Sequence, residues 1–76
     1  MVRMPRIAGI DARRALEHNG WYIARSSRGS HVQLRHPDKP GRVTIPMHTG
    51  EILAPKTLAT IVTQARLTMD EFRSLL

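Results

Sequence analysis

His31-Val32-Gln33-Leu34-Arg35 alternates polar and apolar residues without a break. At a period of two, Val32 and Leu34 share one face of a strand, and His31, Gln33 and Arg35 share the other. Turn residues bound it on both sides: Ser27-Arg28-Gly29 before, Pro37-Asp38-Lys39-Pro40-Gly41 after. A further strand pattern lies beyond each turn. Trp21-Tyr22-Ile23-Ala24-Arg25 is aromatic and β-branched. Arg42-Val43-Thr44-Ile45 alternates again, with Val43 and Ile45 inward, and Pro46 closes it. These spacings predict an antiparallel meander with one buried face.

Helical patterns flank the meander. Asp11 to His18 is rich in helix formers, with Ala12, Ala15 and Leu16 inward, and Asn19-Gly20 supplies the stop. Met47 to Ala54 reads as a loop. Pro55 suits a first helical position, and Leu58, Ile61, Val62 and Ala65 recur at helical spacing through Arg66. Thr68-Met69-Asp70-Glu71 matches a capping box, which predicts a short last helix through Phe72 and Leu75. The expected class is α+β: one domain over 1–76, order α-β-β-β-α, helices on one face of a three-stranded antiparallel sheet, and an extra short C-terminal helix. The polar sheet face, with His31, Gln33, Arg35, Arg42 and Thr44, is expected to meet solvent.

The chain has 76 residues and no cysteine, which excludes disulfides, zinc knuckles and thiol nucleophiles. No apolar run approaches the roughly 20 residues of a membrane span. The N-terminal Met1-Val2-Arg3-Met4-Pro5 lacks the apolar stretch of a signal peptide, so a cytoplasmic protein is expected. The net charge is +6, and it is uneven. Residues 1–42 carry nine Lys+Arg against three Asp+Glu, whereas residues 43–76 carry three of each. Ten of the twelve cations are arginine, whose planar fork grips phosphate. A localised basic surface points to a polyanion such as nucleic acid, and equally suits a solvated basic surface.

The outward face of the second strand carries the chemistry. Histidine titrates near neutral pH and suits proton transfer. Arginines beside His31 could hold a phosphodiester and offset charge developing on it. Ser30 offers a hydroxyl, and Gly29 lets a backbone approach closely. The other histidines read differently. His18, at the end of the first helix, complements its dipole. His36 ends the second strand as a structural residue. His48, in the loop before the second helix, could reach the sheet edge as an auxiliary. Trp21 reads as core, and Tyr22 points outward. No set of these groups has metal-ligand spacing. On residues alone, the same face also reads as solvated surface.

The chain resembles the HicA family of toxin mRNA interferases. The resemblance is carried by Ile7-Ala8-Gly9, by Ala15-Leu16-Glu17 followed by Asn19-Gly20-Trp21, and by Arg28-Gly29-Ser30-His31-Val32-Gln33-Leu34-Arg35-His36. It continues through Val43-Thr44-Ile45-Pro46, the segment Pro55 to Ala65, and the tail Leu67-Thr68-Met69-Asp70-Glu71-Phe72. Arg13 stands where members often have an apolar residue, and Lys39-Pro40 varies within a variable turn. The resemblance implies a double-stranded-RNA-binding-like fold, mRNA cleavage with His31 as the catalytic residue, and a HicB-type antitoxin that covers the site. Expected RNA contacts are Arg25, Arg28, Gly29, Ser30, Gln33, Arg35 and Lys56, with no metal and no cofactor.

Two other classes stay open on the sequence. One is a non-catalytic RNA-binding module in which His31 only hydrogen-bonds phosphate or 2′-hydroxyl. The other is a protein-interaction subunit whose basic face meets an acidic partner.

Overall fold

A computed structural model of the chain describes residues 4–26 and 30–76. The Ser27-Arg28-Gly29 turn and the first residues of the basic arm lie outside the described residues. The elements run α1 (Gly9–His18), β1 (Tyr22–Ser26), β2 (His31–Arg35), β3 (Val43–Pro46), α2 (Pro55–Gln64) and α3 (Met69–Arg73). This is the expected α+β order, with the short terminal helix included. The strands form one antiparallel sheet in the order β1-β2-β3, so β2 is central.

Each helix is stopped or started by a local device. α1 begins two residues earlier than its composition suggests. Ala8 is its N-cap, and the Ala8 N–H donates to the Asp11 carboxylate at 3.0 Å, which occupies an end the Ala8 side chain cannot cap. α1 ends where Gly20 takes φ +99°. Gly20 N–H then bonds the Glu17 carbonyl at 3.1 Å, and Trp21 N–H bonds that of Leu16 at 3.1 Å, a Schellman arrangement. α2 closes the same way, with Arg66 at φ 59° in the place glycine usually takes. Arg66 N–H bonds Thr63, and Leu67 N–H bonds Val62. The Thr68–Glu71 capping box of α3 forms in both directions, at 3.1 Å and 2.8 Å.

One core joins these elements. Val32, Leu34, Val43 and Ile45 of the sheet pack with Ala12, Ala15 and Leu16 of α1, Leu58, Ile61 and Val62 of α2, and Trp21, Ala65 and Phe72. Trp21 is buried as expected, with its ring edge-on to His36 at 5.3 Å. α1 and α2 both pack on β3. β1 is left uncovered, and all five of its residues are exposed, including Ile23. The expected buried face therefore belongs to β2 and β3 and fades at β1. No helix among the described residues is long and apolar enough to cross a membrane.

Candidate functional site

The register of the sheet assembles a polar row on the face away from the core. Along β2, His31 lies opposite Pro46, Gln33 opposite Thr44, and the buried Val32 and Leu34 opposite Ile45 and Val43. On the other side Gln33 lies opposite Arg25, and Arg35 opposite Tyr22. Residues directly opposite share a face. Tyr22 and Arg25 are three apart, so in a regular strand they would face opposite ways. The register shifts between Ile23 and Arg25, leaving Ala24 as the extra residue of a β-bulge. The bulge brings both Tyr22 and Arg25 to the open face.

His31 begins β2 and is exposed. Its Nδ1 lies 3.2 Å from the Ser30 hydroxyl oxygen, which fixes one side of the ring. The Ser30 carbonyl accepts from Met47 N–H at 2.8 Å, which extends the β2–β3 ladder beyond Pro46. That bond carries the chain directly to His48. The His31 and His48 rings stand 6.5 Å apart, centre to centre, with planes at 76°. His48 in turn lines a hollow of about 290 Å³ with Pro46, Glu51, Ile52, Leu53, Ala54 and Thr57.

The remaining site expectations divide by place. Arg25, Gln33 and Arg35 share the His31 face. Arg35 reaches back toward the Gly41 carbonyl, 3.5 Å away. Ser30 touches His31 itself. Lys56 is exposed in the first turn of α2, beside Thr57 at the hollow, and is not part of the sheet row. Arg28 and Gly29 lie outside the described residues. Thr44 is tied at its backbone, where its N–H donates to the Gln64 side chain at 3.1 Å and closes the free edge of β3.

Two histidines serve the fold, as their positions suggested. His36 Nε2 meets the Asn19 carbonyl at 2.8 Å, and its Nδ1 accepts from Asp38 N–H at 3.0 Å. His18 Nδ1 lies 3.1 Å from the Leu75 carbonyl and holds the C-terminal turn to α1. Lys39 has a role its turn setting did not announce. Its ammonium donates to Asn19 Oδ1 at 3.1 Å and to the Ala65 carbonyl at 3.2 Å, at the negative end of α2. It is a tie between the turn and two helix ends. Among the described residues, no three His, Asp or Glu side chains come together as metal ligands.

The geometry sets an exposed imidazole at the start of the central strand, two guanidinium groups on the same face, and a second imidazole 6.5 Å from the first. No curated protein matches the chain. The family model described as the HicA toxin of bacterial toxin-antitoxin matches residues 9–67. The matched span holds every strand, α1 and α2, and all the histidines, and on that match the chain belongs to the HicA toxin family.

Proposed function

We propose that this toxin is an endoribonuclease that cleaves mRNA by metal-independent transesterification, and that a HicB-type antitoxin silences it by covering the open sheet face. The observation that carries the reading is His31, an exposed imidazole on the central strand of an arginine-bearing face in a chain of the HicA family. RNA brings its own nucleophile, the 2′-hydroxyl, so a positioned proton-transfer group is the main chemical requirement. Such a group contributes roughly 10²–10⁴ in rate. With Nδ1 of His31 beside the Ser30 hydroxyl, Nε2 is the nitrogen turned to that task. Arg25 and Arg35 supply the charge that holds the phosphodiester and offsets the negative charge of the transition state.

The bonds balance simply. The 2′-oxygen loses its proton, the 2′-oxygen–phosphorus bond forms, and the bond to the 5′-oxygen breaks. The products are a 2′,3′-cyclic phosphate and a 5′-hydroxyl. The test is cleavage of a defined RNA in EDTA with analysis of the ends. Cyclic phosphate ends with undiminished rate support the reading. Cleavage that stops on chelation, returns with magnesium and leaves 5′-phosphates overturns it. Binding without cleavage selects the RNA-binding module instead.

A further inference from the structure

We infer that His48 is a second catalytic residue, the general acid that protonates the leaving 5′-oxygen while His31 takes the 2′-hydroxyl proton. The inference rests on the endoribonuclease reading and adds to it a residue for the other half of the proton transfer. Transesterification moves two protons, one from the attacking oxygen and one to the departing oxygen. These oxygens lie on opposite sides of phosphorus in an in-line displacement, so a single ring cannot serve both at once. Each donor or acceptor must come within about 2.6–3.2 Å of its oxygen. Two imidazoles with centres 6.5 Å apart leave room for a phosphate between them.

The placement of His48 is built into the fold. Pro46 lies opposite His31 in the register, and Met47 N–H is fixed on the Ser30 carbonyl at 2.8 Å. His48 follows at once. Its own carbonyl accepts from Glu51 N–H at 3.0 Å, and Gly50 at φ 74° completes the turn. Both ends of the short segment around His48 are thus held by backbone bonds, while the ring stays exposed. Neither nitrogen of that ring is hydrogen-bonded among the described residues, in contrast to His18 and His36, each engaged by a carbonyl.

The charges around the two rings assign the roles. Among the described residues, His48 has the His31 ring 6.5 Å away and Glu51 on the rim of the same hollow, with Lys56 of α2 next in sequence to the lining Thr57. His31 shares its face with Arg25 and Arg35. A ring that gives up a proton belongs beside the carboxylate, and a neutral ring that accepts one belongs among the guanidiniums. After the step His31 is protonated and His48 is neutral. Hydrolysis of the cyclic phosphate runs the same two transfers in reverse.

The experiment uses a defined RNA whose cleaved linkage has been mapped with the parent chain, made with oxygen or with sulfur at the 5′-leaving position. Sulfur departs without protonation. On the oxygen substrate, His31→Ala and His48→Ala should each lose about 10²–10⁴-fold in single-turnover rate. On the sulfur substrate, His48→Ala should return to within about tenfold of the parent, and His31→Ala should not. The parent's rate should fall on both sides of a pH optimum, and His48→Ala should lack the alkaline fall. His48→Gln, which keeps the size of the side chain, should behave as His48→Ala, and unchanged melting of both variants certifies their folding. Parent-like cleavage of the oxygen substrate by His48→Ala overturns the inference and leaves the endoribonuclease intact. A defect that sulfur fails to rescue, or rescue of His31→Ala in its place, overturns the acid assignment. Failure of the parent chain to cleave any RNA in the mapping step overturns the endoribonuclease reading itself.

Discussion

Gly9→Ala sets two effects of opposite sign against each other, and the structure decides between them. Alanine is the better helix former, by about 0.8–1.0 kcal/mol in a helix interior, so propensity alone favours the change. Gly9 is buried at the first position of α1, however, against the end of β3. An added Cβ there runs into the Pro46 carbonyl oxygen, with Met47 Sδ at 3.2 Å and Ile45 Cγ2 at 3.3 Å. The sulfur can move, but the carbonyl is backbone and cannot swing aside. Overpacking of this kind costs about 1–3 kcal/mol, and the helix gain at a first position is smaller than in an interior. Net destabilisation is expected, worth about 4–8 °C of melting temperature per kcal/mol in a domain this size. Urea denaturation should move the midpoint down without changing the slope. Because Pro46 lies opposite His31 and precedes the His48 turn, the same variant should also lower RNA cleavage. A Gly9→Ala chain that melts at or above the parent temperature would show that α1 does not press on Pro46 as described.

Two further predictions concern charge. Binding of an uncleavable single-stranded RNA should weaken linearly with log salt, and Arg25→Ala or Arg35→Ala should each flatten the slope by about 0.7, whereas Arg73→Ala should leave it unchanged. Glu71 sits below the ordinary carboxylate range, chiefly because Thr68 N–H donates to it and then through the Thr68 side chain, with Lys39 adding a smaller pull. The unfolded chain therefore binds this proton more readily than the folded one, and the stability Glu71 lends to α3 is present in full above the ordinary carboxylate value and lost as the pH falls through the lowered folded value. Amide protection at Thr68 and Phe72, taken relative to the intrinsic exchange rate at each pH, should fall in acid, and Glu71→Gln should remove that change in protection. Protection that stays constant through the carboxylate range would contradict it.

The elements that were legible in the sequence were those with a local cause. Alternation in His31–Arg35 and Val43–Ile45 was enough for β2 and β3, because each strand buries one face against helices. The capping box at Thr68 and the proline at position 55 each act within a turn, so their residues carry the whole signal. β1 was legible as a strand and Tyr22 as outward, but strand parity did not place Arg25 on the same face. A bulge at Ala24 depends on pairing with β2, and no pattern over five residues reveals it. The exposure of Ile23 depends on where the helices settle, which is over β3. The end of α2 was misread by two residues, at Arg66 instead of Gln64, because an arginine takes the left-handed position that glycine would have flagged. Lys39 read as part of a variable turn because its partners, Asn19 and Ala65, are 20 and 26 residues distant. In the site, strand parity alone put His31, Gln33 and Arg35 together. The company of Arg25 needed the bulge, and the approach of His48 needed the ladder bond from Met47 to Ser30.

The central claim is that an imidazole on β2 performs the chemistry of an RNA-cleaving toxin. Its most direct measurement is the single-turnover cleavage of one defined RNA in EDTA by the parent chain and by His31→Ala, with the folding of both followed by thermal melting. His31 is an exposed side chain, so its removal should change stability by no more than about 0.5 kcal/mol. Cyclic phosphate ends are expected from the parent, with a loss of at least about 10²-fold in rate in a variant that melts like it. Equal cleavage by His31→Ala would show that the chemistry lies elsewhere.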